Sequence, residues 1–209
     1  DGAYGLPAAA APSTAHLFRG LPRADSITVD AHKWLYLPKA CSVALVRDPH
    51  ALERAFLHDA SYMPHGLREV NPVDSTLEYS RPFRSLKLWV ALRVHGAGAF
   101  RAALERNLAE TRLFTDTVRD APDLELLFEP ELTIVPFRHV PRGVPDLDAH
   151  NLALCRAIQE DARVYVAPAT IDGTLKKARS SNQWSIAARM SSEVNGLPSC
   201  SPGFAEPWV

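Results

Sequence analysis

The pair in this sequence best suited to covalent chemistry is an amine directly after an imidazole, His32-Lys33. A lysine amine that has lost its proton can condense with a carbonyl, an established route to covalent catalysis. Few other amines compete for the role, since only five of the 23 basic residues are lysine and the rest are arginine. Arginine-rich codon usage explains that imbalance better than an anion-binding role does. The bland alternative for Lys33 is a salt-bridged surface lysine. Asp1, 32 positions earlier, ends an apparent strand and could stand across a bound ligand from Lys33. Spacing alone permits that arrangement without requiring it.

The elements that would position these groups follow from residue pattern. Ile27, Thr28 and Val29 read as the end of a buried strand, with His32-Lys33 where it gives way to a loop. In α/β sheets, ligands sit at such carboxyl ends. Asp1 to Gly5 looks like a strand end entering a turn, so the chain reads as starting inside a fold. His16-Leu17-Phe18 is a short apolar turn. Cys41 to Val46 is a second strand, after which Pro49 suits the first turn of a short helix reaching about His58. Ala60 to Ser80, with Pro64, Gly66 and Asn71-Pro72, has the length at which a structureless segment is a functional loop or disordered.

A strongly apolar helix is expected from Arg84 to His95, ending at Gly96. A second should run from Ala97 to Arg119, because Phe100, Leu104 and Leu108 recur every fourth residue. Gly96-Ala97-Gly98 is too short, and follows the wrong element, to be a dinucleotide fingerprint. Two strands, Leu124 to Phe128 and Leu132 to Phe137, flank a Glu-Pro-Glu turn. A helix from Leu147 to Ala162 and a strand over Val164 to Ala167 complete an alternating α/β pattern with antiparallel strands late in the chain. From Leu175 the character changes. Seven of the last 35 residues are serine, and no period of 2 or 3.6 can be traced.

Composition narrows the function classes. The 209 residues leave room for one domain or for a large and a small one. A hydrophobic fraction of 46% and a net charge of -1 are those of an ordinary globular protein. That charge argues against a nucleic-acid or anionic-membrane partner, which would need a basic excess. Cys41, Cys155 and Cys200 lack C-x-x-C spacing, so neither a disulfide framework nor a metal site is expected, and a reducing cytoplasm is the default. His58 and His65 lack metal-ligand spacing and read as solvated. No apolar run approaches a membrane span and no signal peptide is recognisable.

Pyridoxal phosphate sites pair a Schiff-base lysine with an acidic residue that keeps the ring nitrogen protonated. Asp1-Gly2-Ala3-Tyr4-Gly5, Ala24-Asp25-Ser26 and Asp30-Ala31-His32-Lys33-Trp34 resemble the group II pyridoxal-phosphate-dependent amino acid decarboxylases. Arg81-Pro82-Phe83-Arg84-Ser85-Leu86-Lys87-Leu88-Trp89 is similar to that family's R-x-F-R-x-L-K-x-W segment. The resemblance covers Asp1 to Gly173 and implies a fold-type-I α/β enzyme acting on an L-amino acid, aromatic by preference. It also implies a homodimer with shared active sites. Residues 1–96 would be part of the large cofactor domain, 97–174 the small C-terminal domain, and 175–209 an unassigned tail. A frameshift or cloned-in extension would explain that tail, and so would divergence.

Carried over by position, the resemblance makes Lys33 the Schiff-base residue for pyridoxal 5'-phosphate and Asp1 the partner of the ring nitrogen. It sets His32 near the cofactor phosphate, against a competing reading as a hydrogen-bonded structural histidine. Tyr62, 29 positions after Lys33, matches the mobile-loop tyrosine that returns a proton after carbon dioxide leaves. Where relatives have phenylalanine there, oxidative deamination to an aldehyde accompanies it, so tyrosine favours plain decarboxylation. Ser80 stands where the family has a glycine approaching the partner subunit's phosphate, and that departure bears on the contact. Asp30 reads as structural, since a carboxylate facing a phosphate would be repelled. The ring-stacking histidine, most phosphate contacts and much of the substrate pocket fall upstream of Asp1 in the family. The alternatives are therefore a non-catalytic truncated chain, or another fold-type-I enzyme such as an aldehyde synthase, a glutamate-type decarboxylase, an aminotransferase or a desulfurase.

Overall fold

The structure, a computed structural model, describes residues 1–57, 72–170 and 184–189. Its contacts gather the chain into two units: Asp1–Arg112 with Glu131–Thr133, and Leu113–Pro130 with Ile134–Val209. Leu104 and Leu108 pack in one cluster with Ala8, Ala11 and Trp34 of the first unit.

In the first unit, β1 (Ser26–Asp30) and β2 (Ser42–Val46) pair antiparallel, with Ser26 opposite Val46 and Asp30 opposite Ser42. Between them lies α1 (Ala31–Trp34), a single helical turn at the carboxyl end of β1. The chain before β1 folds as three short 3-10 turns, Leu6–Ala10, Ala15–Phe18 and Leu21–Arg23. Its first residues run beside β1, where the Asp30 amide donates to the Ala3 carbonyl at 3.0 Å. A Cβ at Gly2 would meet the Thr28 carbonyl oxygen at 2.7 Å, so this close approach requires glycine. After β2, Pro49 precedes α2 (His50–Phe56) as expected.

Helix α3 (Arg84–Asp120) carries the two expected helices as one element interrupted at Gly96, whose φ of 74° and ψ of 156° are not helical. Beyond that break, Leu104, Leu108, Thr111, Thr115 and Val118 are all buried, a stripe spaced by three and four residues. Before it, the helix exposes apolar side chains instead: Trp89 and Val94 are each more than 60% accessible. Gly96→Ala should destabilise the chain by about 1–3 kcal/mol, because non-glycine residues are strained in that backbone region. No atom lies within 4 Å of the Cβ to be added, so the loss is purely conformational. Denaturant unfolding of the variant checks it.

The second unit is a four-stranded antiparallel sheet with a helix against it. Its order is β3 (Leu124–Leu126), β4 (Pro136–His139), β6 (Trp184–Arg189) and β5 (Tyr165–Thr170). Two expectations change here. The strand expected from Leu132 begins only at Pro136, because Leu132 packs with the Trp34 cluster and the Thr133 hydroxyl bonds the Tyr4 hydroxyl. The tail in which no period was traced contributes β6, which pairs with both β4 and β5. Helix α4 (Leu147–Asp161) starts at a cap, the Asp146 carboxylate accepting from the Ala149 amide. Val118, Phe137, Cys155 and Val166 form the core, and burial pushes the Cys155 thiol pKa up.

Helix α4 is joined to β4 by buried Asn151. Its Oδ1 accepts from the His139 amide at 2.8 Å, and its Nδ2 donates to the His139 carbonyl at 2.9 Å and to the Leu147 carbonyl at 2.8 Å. The His139 ring sits 3.0 Å from the Asp123 carboxylate through Nε2 and 2.8 Å from His150 Nε2 through Nδ1. A carboxylate can only accept, so His139 Nε2 donates to Asp123 while Nδ1 shares a hydrogen bond with His150 Nε2.

Candidate functional site

Lys33 owes its exposure to its neighbours. In one helical turn, residues three apart share a face, and Ala31 and Trp34 take the inner one, 0% and 7% accessible. Trp34 meets the Tyr4 ring edge-on, with centroids 5.0 Å apart, and packs with Ala8, Ala11, Leu104 and Leu108. With the indole held in the core, Lys33 is turned outward and its side chain is 41% accessible. The tryptophan of His-Lys-Trp is thus the anchor that aims the lysine.

Around the amine stands a small polar group. Lys33 Nζ lies 2.9 Å from Asp30 Oδ2, and the same oxygen is 3.9 Å from His32 Nε2. The other Asp30 oxygen accepts from the Ser42 hydroxyl across the β1–β2 pair. Hydrogen bonds from Ser42 and then Lys33 hold the Asp30 carboxyl below its ordinary pKa, against a smaller desolvation effect that raises it. His32 Nδ1 is 3.0 Å from the Cys41 carbonyl and 3.3 Å from the Cys41 amide, which ties the ring to the start of β2.

The second recognisable block braces the loop that follows the lysine. Lys87 on α3 donates to three successive carbonyls, those of Pro38, Lys39 and Ala40, each at 3.3 Å. Arg84 pairs with Glu78 through two nitrogens, at 2.7 and 3.2 Å, and its carbonyl accepts from the buried Cys41 thiol. Tyr36, with a left-handed φ of 55°, accepts at its hydroxyl from the Asn107 amide nitrogen. The two blocks are therefore one structural assembly. Lys87→Met should speed amide exchange at residues 39 to 41 while leaving the unfolding midpoint little changed, because it removes only the donor that gathers these carbonyls. Residue-resolved hydrogen exchange reads this directly.

Of the expected site residues, the structure brings Lys33 and His32 together at the carboxyl end of β1, with the segment of Asp1 alongside. Asp1 is exposed, and its Oδ1 accepts from the Ala3 amide at 2.9 Å. Ser80 is exposed in the bend before α3, and among the described residues no hydrogen bond joins it to Lys33, His32 or Asp1. Tyr62 lies outside the described residues. Asp30, expected to be structural, is the ion-pair partner of Lys33. The i, i+3 spacing of Asp30 and Lys33 was the available signal. Ser42 was also missed, and no local pattern points to it; Lys87 stands in the second recognised block, but its bracing role was not read there. A shallow hollow lined by Pro22, Asp25, Leu45 and Arg47 is at the opposite end of β1, remote from this chemistry.

The donor set suits pyridoxal phosphate. An accessible primary amine at a strand end can take its aldehyde, and a carboxylate on the adjoining segment can face its ring nitrogen.

Comparison with known proteins agrees with this chemistry. Residues 1–140 match the family described as the pyridoxal-dependent decarboxylase conserved domain. The chain is 32% identical over 155 residues to aromatic-L-amino-acid decarboxylase of Bacillus atrophaeus, covering 72% of this chain and 32% of that one. It is similar in fold to the crystal structure of Catharanthus roseus tryptophan decarboxylase in complex with L-tryptophan. That match has a TM-score of 0.76 at 25% identity and covers 90% of this chain and 37% of that one. Oryza sativa TDC with PLP and tryptamine gives a TM-score of 0.79 at 24% identity, over 90% of this chain and 39% of that one. The chain spans about a third of the length of the curated relatives it matches.

Proposed function

The chain belongs to the pyridoxal-dependent decarboxylase family, and from that premise we propose that it supplies the amine-bearing part of a site that decarboxylates an L-amino acid, aromatic by preference, to the amine and carbon dioxide. The observation that carries this reading is the accessible Lys33 amine, aimed outward from the end of β1 by the buried Trp34 and steadied by Asp30. The kinship with the Bacillus atrophaeus aromatic-L-amino-acid decarboxylase favours an aromatic substrate.

In this reading Lys33 and Asp1 hold pyridoxal phosphate, with His32 beside its phosphate and Ser80 toward the phosphate of the partner subunit's cofactor. When bound, the cofactor supplies a ring that accepts the electron pair left on the substrate's α carbon as carbon dioxide departs. The chain's own residues do the rest. Asp1 holds a proton at the ring nitrogen, and Trp34 keeps Lys33 turned toward the ligand. Tyr62 returns a proton to the α carbon, which requires its loop to close over the substrate. Residues 1–96 are the part of the large cofactor domain present here, and 97–174 belong to the small one. The protein works in the cytoplasm.

The exposed apolar side chains at the start of α3, Leu86, Trp89, Val90 and Val94 among them, favour a second element of the reading. Large exposed apolar side chains gathered on one element suit an interface. We assign it to the homodimer contact or to further chain of the same enzyme, so the chain alone need not turn over.

The test is carbon dioxide release from a panel of L-amino acids in the presence of pyridoxal phosphate. It is measured with this chain and with the chain joined to any sequence encoded in frame upstream of Asp1. Amine and carbon dioxide from an aromatic amino acid are expected. Aldehyde and ammonia as main products, with Tyr62 intact, would overturn the decarboxylase assignment in favour of an aldehyde synthase.

A further inference from the structure

Asp30 occupies the N-cap position of α1, yet its side chain makes no capping hydrogen bond. An aspartate there ordinarily accepts from a backbone amide in the first helical turn. This one is turned away from the helix end: Oδ1 accepts from Ser42 on β2, and Oδ2 meets Lys33 at 2.9 Å. The carboxylate is thus rotated by one neighbour and used by the other. A free lysine side chain has four flexible carbons and a large rotamer entropy to lose before its amine can sit in one place.

We propose that Asp30 is the positioning residue for the Lys33 amine, with Ser42 fixing the rotation of the carboxylate, so that the amine is held at the end of β1 where an aldehyde must meet it. The inference rests on the pyridoxal phosphate reading of Lys33 and adds to it a residue that steers the amine without touching the reacting carbon. Ser42 from β2, together with Lys33 and His32 from α1, are the groups that face this carboxylate. Since its folded-state pKa is depressed, the pair is intact above the ordinary aspartate range and is lost as pH falls through the lowered value.

Two measurements on the full chain test this. The first needs no cofactor: the Asp30 carboxyl carbon is titrated by NMR in the wild type, Lys33→Met and Ser42→Ala, and each change should raise its midpoint. The second adds limiting pyridoxal phosphate, reduces with borohydride, and compares label at Lys33 with label at Lys39 by peptide mapping. Asp30→Asn should lower the Lys33-to-Lys39 ratio about threefold, because the deprotonated amine then loses the fixed carboxylate to which it donates a hydrogen bond and by which it is held in place. Asp30→Glu should recover part of the ratio and Ser42→Ala should show a smaller fall. Amide spectra confirm that each variant is folded.

A ratio unchanged in Asp30→Asn, or an Asp30 midpoint indifferent to Lys33→Met, overturns the proposal. If wild-type Lys33 gains no preference over Lys39 while the Asp30 midpoint still responds to Lys33→Met, the cofactor reading falls, and the positioning role falls with it although the ion pair stands.

Discussion

Lys33→Ala is expected to abolish the visible absorption that the chain gains with pyridoxal phosphate, and to lower carbon dioxide release by active preparations by on the order of a thousandfold or more. The expectation follows from where the side chain is. Its amine is accessible, it leaves from the strand end beside the Asp1 segment, and the other brace lysine, Lys87, is occupied by three carbonyls. The fold should survive, because the buried members of α1 are Ala31 and Trp34, which the substitution leaves alone. Asp30 would lose one partner and keep Ser42. Absorbance spectra with and without cofactor, alongside circular dichroism of both proteins, check the result. An undiminished band in the variant would mean that another amine reacts and that Lys33 is a surface lysine after all.

The second large effect is on stability. Asn151→Leu should destabilise the second unit by about 2–4 kcal/mol, since buried polar groups that lose their partners cost about 1–3 kcal/mol each. The His139 amide and carbonyl both depend on the Asn151 side chain, which is 2% accessible. Leucine has similar volume, so packing around Cys155 and Val166 is largely kept and the loss isolates the hydrogen bonds. Denaturant unfolding followed through amide exchange of the β4 residues gives the number. Protection at His139 equal to that of the wild type would refute the account.

These two predictions mark the limits of what the sequence makes legible. Lys33 could be found because a β-branched run ends four positions before it, and the break in α3 because glycine follows an apolar stretch of helical period. Trp34 as an anchor is implicit in its neighbours once α1 is known to be a helical turn. Asn151 could not be found: the His139 groups it holds are on a different element, and an asparagine inside a helical pattern looks like any solvated residue. Ser42, and the bracing role of Lys87, escape for the same reason, since a hydrogen bond across 12 or 47 positions leaves no local periodicity. Strand β6 depends on finding β4 and β5, and a strand given by pairing is weakly written in its own residues. Tyr62 rests on resemblance alone.

The brace on the lysine loop also has a consequence in time. Residues 38 to 40 are held by Lys87, and Tyr36 by Asn107, which comes 71 positions later. Contacts so distant in sequence close late, because the intervening chain must first be ordered. During synthesis, therefore, β1 and β2 can pair long before α3 exists, while the loop that follows α1 stays unshaped. That loop gains its full brace only after residue 107 has emerged.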